Sequence, residues 1–485
     1  MREKKIVYGI TTGFGNFAHV SIDAADVEQL QYNLVTSHAA GVGQPMSLER
    51  ALSLMVLRIN TLAKGHSGVR PETLQHMLNC FNRRCVPFVP EQGSVGASGD
   101  LAPLAHLACG LLGVGKMWDQ RTGTWGSAAE ILALHGLAPI RLSAKEGLSM
   151  INGTQFITSL AAEAIGRCET LVRVADIVAA FTLEALQGTF KAFDPRIHAS
   201  RPHHGQGLVA RRVRALLHSQ HMPSEISEHH KHCNKVQDSY TLRCIPQVHG
   251  VVNDTLAFVR GVIETEMNSA TDNPMVFPDP ANEGQGDIVS GGNFHGEYPA
   301  KVLDYLAIAI HELSNISERR IERLVNPALS ELPAFLTPNG GLNSGFMIAQ
   351  VTAAALVSEN KTLCHPASVD SIPTSANKED HVSMGAWAAR KCISVVRNVE
   401  NVIGIELMCS AQAIDFLRPL KTTEPLEKVY AAVREVIPTW DKDRFVSPDI
   451  EAACSLVKSG ELISLVEPWW LELERHQSST PHNHW

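Results

Sequence analysis

The sequence predicts a mainly α protein in which long antiparallel helices pack as a bundle and Gly-rich loops carry the polar chemistry. Apolar residues recur at helical spacing over segments far longer than a strand, and almost no stretch alternates apolar with polar residues. Between the helical segments lie glycine-rich runs, where a chain turns and where backbones approach closely.

The first loop is Tyr8-Gly9-Ile10-Thr11-Thr12-Gly13-Phe14-Gly15. A long helix is predicted from about Phe156 to Leu186, and Ser290-Gly291-Gly292-Asn293-Phe294-His295-Gly296 forms a second loop. From Ala300 to Val325, Leu303, Leu306, Ile310, Leu313, Ile321 and Leu324 fall at spacings of three, four or their sums, which is one face of a helix. Asn339-Gly340-Gly341-Leu342-Asn343-Ser344-Gly345 is a third loop. Another helix is expected near Ile393 to Phe416, with Val396, Val399, Ile403, Leu407 and Ile414 on its apolar face. Helices this long need partner helices to cover those faces.

Composition narrows the partners. With 42 basic and 50 acidic residues the net charge is −8, which gives no general attraction to nucleic acid or anionic lipid and favours a small-molecule partner. The 485 residues are 44% hydrophobic and can bury a large core; by length alone about three domains are expected. No apolar run approaches the roughly 18 residues of a membrane span, and Met1-Arg2-Glu3-Lys4-Lys5 leads into no secretory apolar segment, so a cytoplasmic location is expected. Ten scattered cysteines with no CxxC pair suit reduced thiols rather than a disulfide framework or structural zinc. His229-His230-Lys231-His232-Cys233 reads as a solvated helix end or loop, because adjacent helical positions point apart and cannot meet at one metal. No metal site is expected.

The most informative run is Gly96-Ala97-Ser98-Gly99-Asp100. Gly99 lacks a Cβ, so its nitrogen can fold back onto the carbonyl carbon of Ala97. Loss of water would close a five-membered ring, and loss of the Ser98 hydroxyl would leave an exocyclic methylidene: a 4-methylidene-imidazol-5-one, expected to form autocatalytically with no external cofactor.

The surrounding text, Gly93-Ser94-Val95-Gly96-Ala97-Ser98-Gly99-Asp100-Leu101-Ala102-Pro103-Leu104-Ala105-His106, resembles the signature of the aromatic amino acid ammonia-lyases. Further segments follow that family's order over nearly the whole chain. Tyr8 to Gly15 is similar to the loop of a catalytic tyrosine, and Ile151-Asn152-Gly153-Thr154-Gln155 to the asparagine loop beside the cofactor. Val236-Gln237-Asp238-Ser239-Tyr240-Thr241-Leu242-Arg243 is similar to the segment that supplies a glutamine, a second tyrosine and an arginine, and Gly292-Asn293-Phe294-His295-Gly296 to an aromatic wall.

The resemblance implies a carbon-nitrogen lyase whose electrophile derives from Ala97, Ser98 and Gly99. It implies Tyr8 as the base for the β-proton, Tyr240 as a second catalytic tyrosine, and Arg243 as the holder of the substrate carboxylate. Asn152 and Gln237 would orient cofactor and substrate, and backbone N–H groups after Gly99 would stabilise the ring oxygen. A tyrosine ordinarily titrates near 10, so the base needs a nearby positive charge or helix N-terminus.

Within the family, two positions imply L-histidine as substrate and trans-urocanate as product, the first step of histidine breakdown. Ser37-His38-Ala39 puts a histidine, and Asn377-Lys378-Glu379-Asp380 a glutamate, where phenylalanine-specific relatives carry apolar residues and glutamine. A substrate imidazole can pair with both, whereas a phenyl ring would leave them unpaired, a difference worth roughly 10⁴ in selectivity. Another aromatic amino acid, handled by a lyase or aminomutase, is the alternative. The resemblance further implies a homotetramer with a central helical bundle. The module is expected to divide into residues 1–200, forming cofactor and binding substrate, and 201–465, the bundle, and the polar composition of 466–485 reads as a disordered tail. Tyr8 has only seven residues before it, fewer than in the family, so a shortened, inactive form is a further alternative.

Overall fold

A computed structural model describes residues 8–219, 221–231, 236–281 and 286–478. The helices stand where apolar periodicity places them: Gln155–Ala185, Glu297–Val325 and Gly385–Leu417. Leu303, Leu306, Ile310, Leu313, Ile321 and Leu324 are all fully buried, as are Val396, Val399, Ile403, Leu407 and Ile414. Strands are few and short among the described residues. Val42–Pro45 pairs with Pro90–Gln92, Lys116–Asp119 lies between Val86–Pro87 and Thr124–Ser127, and Met275–Pro278 pairs with Gly286–Val289. No described helix is long and apolar enough to cross a membrane.

Two compact units emerge, and they do not follow the expected division at residues 200 and 465. One comprises Met1–Glu163, Val259–Asp304 and Pro366–Lys391; the other comprises Ala164–Phe258, Tyr305–His365 and Cys392–Trp485. Four of the five unit boundaries fall inside the helices Gln155–Ala185, Ile245–Met267, Glu297–Val325 and Gly385–Leu417; the fifth, between His365 and Pro366, follows the helix Met347–Leu363. A helix of about 30 residues runs some 45 Å, so one element can serve two cores, and contiguous stretches of sequence then do not correspond to compact units.

The expected tail over 466–485 is corrected in its first part. Residues 466–478 continue the helix Glu461–Ser478, whose apolar positions Leu462, Ile463, Val466 and Trp470 are buried. Trp470 donates from Nε1 to the Arg212 carbonyl at 3.1 Å, and the Arg173 and Arg212 guanidiniums lie 5.4 and 5.6 Å from its ring. The apolar stripe outweighs the surrounding polar residues. Residues 479–485, with His482 and His484, lie outside the described residues, as do His232 and Cys233. His229 is exposed at the end of the helix Glu225–His230.

Candidate active site

The Ala97-Ser98-Gly99 run crosses the first unit as an irregular loop ending at the helix Leu101–Leu111. Gly99 has φ +74° and pairs side by side with Gly153, whose carbonyl accepts the Asp100 N–H at 2.7 Å. A Cβ on Gly99 would lie inside the Gly153 backbone, so the approach requires glycine. Gly96, at φ +66°, is strapped by its carbonyl, which accepts Ser383 Oγ at 2.9 Å and the Gly296 N–H at 3.2 Å. The Asp100 N–H is thereby spent on Gly153 and is not among the backbone donors expected for the ring oxygen.

Asp100 is fully buried, its Oδ1 accepting from Ser94 Oγ at 2.7 Å and its Oδ2 from the Ile157 N–H at 3.0 Å. Burial raises its pKa to about 7 against the opposing pull of these hydrogen bonds. The carboxyl ties the cofactor-forming loop to the first turn of the helix Gln155–Ala185.

Ser98, half-buried, donates from Oγ to Glu379 Oε1 at 2.6 Å. The other carboxylate oxygen, Oε2, accepts Thr374 Oγ1 at 2.6 Å. Thr374 and Glu379 also exchange backbone hydrogen bonds of 3.0 and 3.3 Å around a turn in which Ser375, Ala376 and Asn377 all take positive φ. The turn aims Glu379 at Ser98.

Asn152 follows the helix Glu146–Ile151 and is buried. Its Nδ2 donates to the Asn273 carbonyl at 3.0 Å, and its Oδ1 has no partner. Below it, the buried Arg58 donates to the Asn152 carbonyl at 2.7 Å and to that of Ser149. Burial lowers the Arg58 pKa to about 10, opposed by Asp272, so the group keeps its charge at neutral pH. Asp272 in turn pairs with the buried Lys145 at 3.0 Å, and Lys145 also donates to Ser149 Oγ.

Tyr8 Oη accepts the Gly15 N–H at 3.3 Å, and the Phe14 ring stands edge-on to the Tyr8 ring. Two glycines show where this loop sits. A Cβ on Gly9 would come within 2.8 Å of Leu148 on the helix before Asn152, and one on Gly15 within 3.2 Å of Ser375 Oγ in the Glu379 turn. The tyrosine loop therefore touches both neighbouring segments of the site. Phe294, half-buried, is brought in through the Gly296–Gly96 hydrogen bond.

His38 ends the helix Val27–His38, which joins the helix Glu146–Ile151 through a Gly147 N–H bond to Gln31 Oε1 at 2.9 Å. The ring is held locally: Nδ1 lies 2.7 Å from the Leu34 carbonyl, so it carries the proton, and Nε2 in the neutral ring is an acceptor. Gln237, Tyr240 and Arg243 belong to the second unit. Gln237 is exposed, the Tyr240 side chain is 70% exposed, and the Arg243 guanidinium lies 4.6 Å from the Tyr240 ring centre with its Nε buried and unpartnered.

Residues 1–435 match the aromatic amino acid lyase family. The chain belongs to that family. It is 63% identical over 469 residues to histidine ammonia-lyase of Bos taurus, covering 97% of this chain and 70% of the relative. The crystal structure of histidine ammonia-lyase from Trypanosoma cruzi is similar with a TM-score of 0.88 at 53% identity, covering 96% of this chain and 87% of that one. Tyrosine aminomutase from Streptomyces globisporus is similar at 0.87 and 37% identity, covering 96% of this chain and 89% of that one.

Sequence reasoning about this aromatic amino acid lyase missed Thr374 and Arg58. Thr374 stands five residues before Glu379 in a loop, where spacing carries no periodic signal. Arg58 sits in the helix Leu48–Ala63 among buried Leu54, Met55 and Leu62, and an arginine inside an apolar stripe was the available sign.

Proposed function

We propose that this lyase eliminates ammonia from L-histidine without oxidation, giving trans-urocanate. The observation that carries the reading is the Glu379 carboxylate at Ser98 Oγ, with its second oxygen fixed by Thr374. A substrate imidazole offers such a carboxylate an N–H donor and gains favourable charge contact; a phenyl ring would leave the carboxylate desolvated and unpaired. The relatives named histidine ammonia-lyase, matched over nearly the whole chain, support the same substrate.

Ala97, Ser98 and Gly99 fit the formation of a 4-methylidene-imidazol-5-one. Gly99 holds a left-handed φ with no room for a side chain, Ala97 is buried, and the flanking residues are strapped on both sides. When formed, the group supplies a carbon electrophile that bonds the substrate and makes its amine a leaving group.

Around it the chain's own residues have separate tasks. Tyr8 removes the β-proton as its phenolate, and the Gly15 N–H donated to its oxygen orients it and favours that charge. Asn152 Oδ1, buried and unpartnered, is an acceptor waiting for an N–H. The Glu379 carboxylate accepts one N–H of the substrate ring, Nε2 of His38 accepts the second N–H that the protonated imidazole carries, and Phe294 walls the ring. Arg243 holds the substrate carboxylate as a fork of donors, with Gln237 and Tyr240 orienting substrate and cofactor. The working form is a homotetramer whose sites draw loops from several subunits.

Purified protein incubated with L-histidine is expected to develop the near-ultraviolet absorbance of a conjugated imidazole acrylate. Turnover of phenylalanine or tyrosine with no response to histidine would assign the site to another aromatic amino acid.

A further inference from the structure

In the second unit a cavity of about 310 Å³ opens between the short helix Pro195–Ala199 and the helix His204–Leu217. Arg211, Arg214, His203 and His204 line it, and no carboxylate does. Its volume is at the lower end of small-molecule sites.

Neither guanidinium has an ion pair among the described residues. Asp194 is the acidic group that acts on Arg214, but both its oxygens are engaged by Arg196: Oδ1 accepts Nε at 3.0 Å and the backbone N–H at 2.9 Å, and Oδ2 accepts Nη2 at 2.7 Å. Arg214 spends one donor on the Phe193 carbonyl at 3.1 Å and keeps the rest. Arg211 has no hydrogen bond or ion pair among the described residues. Burial and, second, the proximity of Arg211 lower the pKa of Arg214, and Asp194 opposes them.

The cavity walls keep the guanidiniums open to a ligand. A Cβ on Gly207 would lie 3.5 Å from Arg211 Nη1, so glycine leaves the space beside that group free. The buried His198 lines the cavity with both ring nitrogens spent: Nε2 donates to the Ala192 carbonyl at 3.1 Å, which leaves Nδ1 to accept from Gln206 Nε2 at 3.1 Å. Its role is shape.

We propose that this cavity binds a phosphate dianion, free or carried on a small monoester, between Arg211 and Arg214. Two planar guanidinium forks match the oxygens of a phosphate, and His203 and His204, both exposed, add imidazole rings to the lining. Pro202 and Ala210 offer apolar wall to the organic part of an ester. None of these residues belongs to the set assigned to histidine turnover, so the inference stands apart from that reading.

The test is calorimetric titration of the intact protein with inorganic phosphate and, separately, with adenosine monophosphate, at constant ionic strength. Saturable binding is expected, weakened about tenfold or more by Arg211→Ala, the loss expected for a charge-assisted contact. Arg260→Ala, which removes one positive charge outside the lining, is expected to bind as the unmodified protein does. Tighter binding of the nucleotide would identify a monoester ligand; equal or tighter binding of phosphate would identify the free anion. Arg211→Ala is expected to keep the unmodified KM and kcat for histidine, which reports that it has folded. No saturable binding of either probe, or equal affinities in Arg211→Ala and Arg260→Ala, would overturn the proposal.

Discussion

Glu379 reaches Ser98 through a turn that L-residues rarely adopt. Ser375, Ala376 and Asn377 sit at φ +54°, +52° and +63°, each costing roughly 1 kcal/mol or more, and the Thr374–Glu379 hydrogen bonds offset that cost. Removing the Thr374 hydroxyl should release one carboxylate oxygen, so Thr374→Val is expected to raise KM for histidine about tenfold with a smaller change in kcat, and Thr374→Ser to restore it. Unchanged kinetics in Thr374→Val would mean that the backbone turn alone orients Glu379. Ser98→Ala cannot form the methylidene. It is expected to fold, to lose nearly all turnover, and to lack in intact-mass measurement the loss of serine-derived water expected of the unmodified chain. Asp100 bears on stability instead. Its folded pKa of about 7 lies above the ordinary 3.8, so the native state holds a proton that the unfolded state has released between those values. Stability from this group is full below about 4, declines as pH rises through about 7, and is level above. Thermal unfolding of Asp100→Asn across that range should show a shallower slope; an identical slope would place the titration elsewhere. Ser98 and Glu379 were legible as residues because each stands in a distinctive text, but nothing in either text states that the two hydroxyl and carboxylate oxygens meet.

At the scale of elements, periodicity sufficed where one face is buried. The three long helices begin and end within a few residues of the apolar stripes that predicted them, apart from Gly385–Leu417, which starts eight residues before the expected Ile393. The early start includes Ala386, Ala388 and Ala389, small buried residues with little apolar signal. Periodicity also concealed the buried ion pair that joins two of these helices. Arg320 and Glu406 are both fully buried and forked, with Nη2 donating to Oε2 at 2.8 Å, and Thr182 Oγ1 donates to Glu406 Oε1 at 2.6 Å. Replacing one partner strands the other charge away from water, so Glu406→Gln is expected to destabilise by about 3–5 kcal/mol in denaturant unfolding. A loss below about 1 kcal/mol would show that water reaches Arg320 in the variant.

For the whole molecule, the decisive feature is the exposure of residues assigned to the substrate. Tyr240 is 70% exposed and Val236 95% exposed in a single chain, an unusual setting for a catalytic segment. The proposed homotetramer would cover this segment, and light scattering should report four chains in active protein. Mixing refolded Ser98→Ala with Tyr240→Phe, each nearly inactive alone, is expected to recover part of the activity if one chain supplies Ser98 and another Tyr240. No recovery, or an active monomer, would show that each chain completes its own site.

The sequence by itself determined the helical class, the long apolar faces, the Ala-Ser-Gly run and the loops that carry Tyr8, Asn152 and Glu379, because helix period, glycine geometry and local chemistry act over a few neighbouring residues. Only the tertiary structure decided that Ser98 and Glu379, 281 positions apart, share a hydrogen bond, that Gly99 and Gly153 press backbone to backbone, and that the units interleave three segments each. Such contacts are selected by the packing of the chain as a whole, where one buried Arg58 or one left-handed turn at Ser375–Asn377 fixes a partner that no local spacing specifies.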